Sequence, residues 1–425
     1  MVLKAVLSLW CVLGLGTSIV AQDAAETSGP AESLAEQVDA AYQATIAREE
    51  GALQLATSAF DRALAHTDLD ARDLELFLDA AETYRLAQLI DQAQQLQPST
   101  LDFLASNDEL RRSFVFQVLD QDNVNAAFSV LEQLRRHDPE RVLNHPETSV
   151  ALCVVHDQPE PMCMNENCVT PPSVTDVFDV YTSNRLSRSL RNMPIDLRVF
   201  VVDSVASIEE LGWANQRHRA ERNVGRLFHN IVYDMNHYRL GRPKRVSEIG
   251  YTLPNIAKYG GVCVDQAYYA TQVAKSIGVP SVYIRASSGS GGHAWVGYLQ
   301  TRGRKASWNF DEGRYTEYQE IRGLAQHPQT RESTDDAHIA LQELAFSSTD
   351  RERMEGVAFA IGARRLGEIR AANGELSQEK GSLRTESVVD QLELLRAALE
   401  RQPAEMRAWK QFMALADAGE LDDRQ

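Results

Sequence analysis

The sequence has no excess of basic residues. Its 43 lysines and arginines are outnumbered by 60 acids, giving a formal charge of −17 and a pI near 5.1. That deficit argues against a nucleic-acid binder, which carries a basic face; an acidic surface otherwise serves solubility. Long apolar runs are also missing beyond the N-terminal segment, so no later stretch is expected to span a bilayer. Cysteine is sparse, with five in the chain. Cys11 lies in the N-terminal apolar run, which leaves Cys153, Cys163, Cys168 and Cys263, with three full pairings open to them. Proline and glycine are scarce inside the helical segments described below, as continuous helices require.

What is present is an ordinary globular balance, 44% hydrophobic and 24% charged, over 425 residues. That length allows two or three domains. Residues 1–21 read as an export signal: Lys4 gives the positive start, Ala5 to Val20 is mostly apolar, and Ala21 offers a small residue for cleavage before Gln22. The expected location is secreted or periplasmic, the alternative being an uncleaved N-terminal anchor. No membrane span is expected after cleavage.

Residues 22–170 are expected to form a helical domain after a flexible lead-in. Leu34, Val38, Ala41 and Tyr42 recur at helical steps, as do Leu53, Leu55, Phe60 and Leu64, and Val115, Val118 and Leu119 begin another face. Leu89 to Gln97 runs into Pro98, and Leu131 to Asp138 into Pro139, a pattern of stacked helical hairpins. The two prolines are 41 residues apart, not the 34 of tetratricopeptide repeats. Residues 331–425 contain a similar hairpin, around Pro403 and Trp409. These segments either pack on the rest of the chain or offer a surface to a protein partner. The stretch 157–175, rich in proline and asparagine, marks a boundary. Cys163 and Cys168 within it lack His or Cys partners at metal-ligand spacing, which leaves a disulfide or idle thiols.

Residues 171–330 carry the chemistry. A helix is expected over 207–240, capped by Ser207 and ended by Gly241 and Pro243, with Val224, Leu227, Phe228, Ile231 and Val232 on its apolar face. Gly260 and Gly261 precede Cys263, and Val264 to Ile277 reads as a buried helix stopped by Gly278 and Pro280. Cys263 thus stands at a helix N-terminus, where free N–H groups and the helix dipole are expected to lower its pKa. Ser281 to Ala286, His293 to Leu299 and Ala306 to Asp311 read as strands. A three-residue turn centred on Arg302 would set His293 opposite Asp311 on one face. An even turn would separate them, and Asn309 is the fallback. A cysteine, a histidine to take its proton and a polar group to orient the imidazole are the three parts of a thiol nucleophile.

The strings Gly-Gly-Val-Cys-Val-Asp-Gln-Ala from Gly260, Ile-Gly-Val-Pro from Ile277, His-Ala-Trp-Val from His293 and Trp-Asn-Phe-Asp from Trp308 together resemble the core of transglutaminase-like proteins. The resemblance covers roughly 222 to 320 and includes the helix that ends near Tyr233. It implies an α+β, papain-like core between helical segments, with Cys263, His293 and Asp311 as the catalytic triad. Trp295 and Trp308 match recurrent aromatics of the family, with packing roles. Gln266 and Trp295 are further candidates for substrate or oxyanion contact. Glu312 to Tyr315 departs from the Asp-Pro that usually follows the last motif, which leaves substrate and subfamily open. The implied activity is acyl transfer on protein or peptide amides through a Cys263 thioester. Hydrolysis is expected ahead of crosslinking, because exported members are more often proteolytic. No metal or organic cofactor is implied. The alternative is a catalytically idle module within a protein-binding scaffold.

Overall fold

The computed structural model describes residues 33–66, 71–183, 186–221, 223–289, 291–303, 305–376 and 383–421. The expected signal, residues 1–21, lies outside them. The fold is α+β, mixing many helices with two small antiparallel sheets. The chain divides into two compact units, one drawn from the described residues of 1–91 and 361–392, the other from 92–360 and 393–425. The division therefore follows neither 170 nor 330. Helices on both sides of the Pro-rich stretch, Pro146–Val155 and Ile195–Val202, pack on each other in the second unit. Among the described residues, no helix is long and apolar enough to cross a membrane.

In the first unit Ser33 and Glu36 form a capping box that starts the helix Leu34–Ala47, which packs on Ala52–His66. Phe60 stacks on Tyr84 with ring centroids 4.9 Å apart, and Phe77 lies against the same ring at 5.7 Å. Leu55, assigned to the apolar face, is half exposed. In the second unit the helix Val124–His137 runs up to Pro139 as expected, and Pro98 and Pro139 each open a further helix at a first helical position, where the missing N–H is not needed. The helix before Pro98 already stops at Gln92.

The second unit is built around the helix Cys263–Ser276, whose residues 265–276 are all buried. Its polar side chains serve as anchors for the surrounding chain, as buried polar groups must. Gln272 Oε1 accepts from Ser204 Oγ at 2.7 Å and from the Val205 and Ala206 N–H groups. Lys275 Nζ donates to the Phe200 and Ser281 carbonyls, each at 2.8 Å, and to Asp203. A two-stranded hairpin of β1 (Met162–Met164) and β2 (Asn167–Val169) sets Cys163 opposite Cys168, and the two form a disulfide. Cys153 is a buried free thiol.

The larger sheet has β3 (Ser281–Ser288), β4 (Gly291–Arg302), β5 (Lys305–Asn309), β6 (Leu324–Gln326) and β7 (Ser333–Asp335) in the spatial order β5-β4-β3-β6-β7. β3 and β4 lie against the central helix. The expected helix over 207–240 is broken. Ile208–His218, started by the Ser207 capping box, is followed by the short helices Gly225–His229 and Met235–Leu240. Val224, Leu227, Phe228 and Ile231 are buried as expected, whereas Val232 is 75% exposed because an extended stretch carries it out of the helical face.

Two buried histidines make the second unit acid-sensitive. His156 Nε2 meets the Val202 carbonyl at 3.3 Å, and His327 Nδ1 accepts the Gln329 and Thr330 N–H groups, each at 3.3 Å. Burial pushes both pKa values down to about 4. An unfolded histidine protonates near 6.5, so their stabilising contribution is full above about pH 6.5 and is lost as pH falls to about 4, by about 3 kcal/mol each. Asp122 acts with the opposite sign. Burial lifts its carboxyl to about 7, so its contribution is present at low pH and is lost as pH rises towards about 7. Asp122→Asn should therefore steepen the loss of stability between about pH 6.5 and 4, read from urea midpoints; an unchanged slope would contradict this assignment.

Candidate active site

Cys263 opens the central helix, and the backbone arrives there through Gly260 and Gly261. Gly260 has φ +78°, and a Cβ on it would fall 2.2 Å from the Val232 carbonyl oxygen. A Cβ on Gly261 would fall 2.4 Å from the Asp265 side chain. Glycine is needed at both positions because two other parts of the chain close on this turn. From outside, residues 232–234 make a parallel bridge to it: Gly261 N–H donates to the Val232 carbonyl at 3.0 Å, and Asp234 N–H to the Gly261 carbonyl at 2.8 Å. From inside, the Asp265 carboxylate accepts from Val262 N–H at 2.8 Å, capping the helix that carries Cys263.

Asp265 is the hub of a buried network. Its side chain is fully buried and also accepts from Lys244 Nζ at 2.8 Å and Tyr251 Oη at 2.8 Å. Lys244 is likewise fully buried and reaches Glu166 at 3.3 Å. Glu166 lies between the two cysteines of the disulfide hairpin and accepts from Ser247 Oγ at 3.0 Å. The disulfide hairpin, the segment 244–251 and the helix that Cys263 opens are thus tied through one carboxylate. Asp265 is more than the first-turn helix acid its position implies; its cation lies 21 residues earlier, beyond the reach of local spacing.

The Cys263 thiol is half-buried, with backbone hydrogen bonding to it from Ala294, the residue after His293, and from Val264. Its pKa is nevertheless raised. Desolvation by burial is the largest cause and outweighs those hydrogen bonds, and the charge on Asp265 adds to it. The expectation of a pKa lowered by the helix N-terminus is corrected here: burial dominates, and the resting group is a thiol. His293 is buried, and burial likewise lowers its pKa, opposed by a hydrogen bond to Gly313. The resting pair is therefore neutral.

The β4–β5 turn is even, not odd. Arg302 pairs with Lys305 and Tyr298 with Asn309, so an even number of positions separates the paired strands, and Gly303 follows β4 at φ +64°. Extended by two residues, this register would put Asp311 opposite Val296, on the face away from His293, and the ladder in any case ends at Asn309. Asp311 is exposed and makes no side-chain hydrogen bond among the described residues. Asn309, the fallback, uses its Oδ1 to accept from Asp311 N–H at 3.1 Å.

The group that holds His293 is the Gly313 carbonyl, 2.6 Å from Nε2. A carbonyl only accepts, so Nε2 carries the hydrogen and Nδ1 of the neutral ring is left as the proton acceptor. Gly313 has φ +82°, and a Cβ there would press on the Phe228 ring at 2.9 Å. The stretch Glu312 to Tyr315 therefore supplies the group that holds the ring from its backbone. Tyr315 covers the imidazole, with ring centroids 3.8 Å apart. Trp295 lies 5.7 Å from His293 and is fully buried, so it contacts no substrate in this state. Gln266 is also committed elsewhere: its Nε2 donates to the Ile231 carbonyl at 2.8 Å. Trp308 packs in the core, stacked on Phe310 at 5.7 Å. No hydrogen bond joins the Cys263 thiol to the His293 ring among the described residues.

No family model, curated protein or solved structure matches the chain. The candidate site therefore rests on its own geometry. Among the described residues, no group of three or more His, Cys, Asp or Glu side chains is placed to hold a metal ion. What remains at the site is a thiol at a helix start, a neutral imidazole on the adjoining strand with one nitrogen held, and backbone N–H groups beside the sulfur.

Proposed function

We propose that the second unit is a transglutaminase-like, papain-like acyl-transfer domain, exported from the cytoplasm, in which Cys263 attacks protein or peptide amides and His293 takes its proton. The observation that carries this reading is the Nε2–H contact of His293 with Gly313, which leaves Nδ1 as a base on the strand that also hydrogen-bonds the Cys263 sulfur. In the proposed reaction the sulfur adds to the amide carbon, and the thiol proton moves to His293. That proton then passes to the departing amine, and a thioester remains on Cys263. Water as acceptor gives hydrolysis, the preferred outcome; a lysine amine gives crosslinking. The Cys163–Cys168 disulfide supports an oxidising compartment, consistent with export.

A second reading is an idle module in a protein-binding scaffold. It is favoured by the raised Cys263 pKa and by the missing thiol–imidazole hydrogen bond. Incubating wild type and Cys263→Ala with denatured casein and dansyl-cadaverine separates the readings. New peptide termini that depend on Cys263 mean hydrolysis, and dye incorporation that depends on it means crosslinking. Identical results for both proteins would favour the scaffold.

A further inference from the structure

Of the ten large hydrophobic side chains exposed among the described residues, four fall between Val232 and Leu240. They are Val232, Met235, Tyr238 and Leu240, from 41% exposed at Met235 to 75% at Val232. Apolar surface gathered in this way marks a place of contact, which scattered exposure does not. Met235 and Tyr238 are three apart on the short helix Met235–Leu240 and so share a side of it, with Arg239 next in line. Tyrosine, methionine and arginine are the side chains enriched where proteins meet.

The charge here runs against that of the chain. Residues 232–259 hold five lysines and arginines and two acids, in a sequence where acids predominate. Lys244 is spent on Asp265 inside the fold, which leaves Arg239, Arg242, Arg245 and Lys258 at the surface. None of the four is paired with a carboxylate among the described residues. Of the two acids, Asp234 turns back on its own helix, accepting the Asn236 and His237 N–H groups at 3.1 and 3.0 Å, and Glu248 is exposed. This surface adjoins the candidate thiol. Val232 and Asp234 hold Gly261 through their backbone, two residues before Cys263. Arg245 and Lys258 gather on the Tyr259 ring, 5.8 and 4.8 Å from its centroid, where the chain enters Gly260. The apolar and the cationic parts thus meet at one turn, the one that delivers Cys263.

We propose that this surface docks the substrate of Cys263, and that the substrate is an acidic polypeptide segment. An aromatic or aliphatic side chain of that segment packs on the helix Met235–Leu240, while flanking carboxylates meet Arg239, Arg242, Arg245 and Lys258. Charge complementarity of this kind acts mainly on encounter and on the choice of partner. The assignment rests on Cys263 being the thiol that accepts the acyl group. A membrane surface fits less well: the helix has six residues, too few to lay a continuous apolar face along a bilayer, and Glu248 shares the helix of Arg245.

Two readouts test docking without turnover. The first is the fluorescence anisotropy of a labelled peptide of glutamates around one phenylalanine, titrated with the full chain carrying Cys263→Ala. Lysines in place of the glutamates, or serine in place of the phenylalanine, should each weaken binding about tenfold, the size of a single hot-spot loss. So should Arg242→Glu and Tyr238→Ser, both at exposed positions. The second is alkylation of Cys263 by iodoacetamide in the wild-type chain, with the modified cysteine mapped by mass spectrometry. The glutamate peptide at saturation should suppress it, and the lysine peptide should not. Equal binding of the two peptides, indifference to both substitutions, or a bound peptide that leaves Cys263 fully reactive would overturn the proposal. So would a chain that ignores the peptide and binds phosphatidylserine vesicles over phosphatidylcholine ones. Failure of the acyl-transfer reading shows elsewhere, in 4-nitrophenyl acetate leaving Cys263 unmodified. In the productive case the sulfur adds to the acetyl carbon, the thiol proton passes by way of His293 to the departing 4-nitrophenol as the ester C–O bond breaks, and a thioester remains. A peptide that binds and shields a Cys263 that is never acylated would overturn its assignment as substrate.

Discussion

Asp265→Ala should destabilise the protein by about 3–5 kcal/mol, since it leaves the Lys244 ammonium buried without its partner. Lys244 and Asp265 are both fully buried, 2.8 Å apart. Glu166, the only other carboxylate at Lys244 among the described residues, is at the longer distance of 3.3 Å and is about half exposed. Lys244→Met should cost a similar amount, because it strands the carboxylate instead. The double variant should cost far less than the two single losses combined, since replacing both members of a buried pair removes the uncompensated charge. Chemical denaturation of all four proteins reads this cycle, and strictly additive losses would contradict it. The consequence reaches the site, because the Asp265 carboxylate also caps the helix at Val262. Variants that remain folded should place Cys263 less well and react more slowly.

The second large effect separates the two groups that compete to orient His293. Asp311→Asn should leave acylation of Cys263 within about twofold of wild type, because Asp311 is exposed and bonds nothing at the ring. Gly313→Val should reduce it on the order of 10²-fold, the size of effect that a small misplacement of a catalytic group produces. Valine resists φ +82°, and its Cβ would collide with Phe228 at 2.9 Å, so the carbonyl that holds Nε2 must move. The opposite ranking, Asp311 critical and Gly313 tolerant, would restore the side-chain triad.

These two predictions mark where the sequence stopped being legible. Local signals carried far. The apolar run after Cys263, the Gly278 stop and the Ser207 cap all describe real helix boundaries to within a residue or so. The strands around His293 and Trp308 were readable from alternation and turn residues. The register was not, because it depended on whether the turn held two residues or three. That single residue moved Asp311 off the face of His293. The true orienting group could not have been found by residue type at all, since a backbone carbonyl has no side-chain signature. The one available hint was a glycine, Gly313, just after the end of β5. Burial is likewise a tertiary property: the helix N-terminus at Cys263 was visible in the sequence, but the desolvation that overrides it was not. Lys244 lies 21 residues before Asp265, and only the fold brings the two together.

The central claim is that Cys263 is a nucleophile served by His293 as a neutral base. Single-turnover acylation by 4-nitrophenyl acetate tests it most directly, followed from about pH 4 to 10 in wild type and His293→Ala, with the acyl group mapped. His293 has its pKa lowered by burial, so its base form should already be available below the ordinary histidine range. Wild-type acylation of Cys263 should rise with loss of that proton below about pH 6.5 and stay high through neutrality. His293→Ala should be slower by about 10²–10⁴-fold at neutral pH, and should recover only as the thiol itself ionises at alkaline pH. Matching profiles in the two proteins, or an acyl group found elsewhere than on Cys263, would contradict the account.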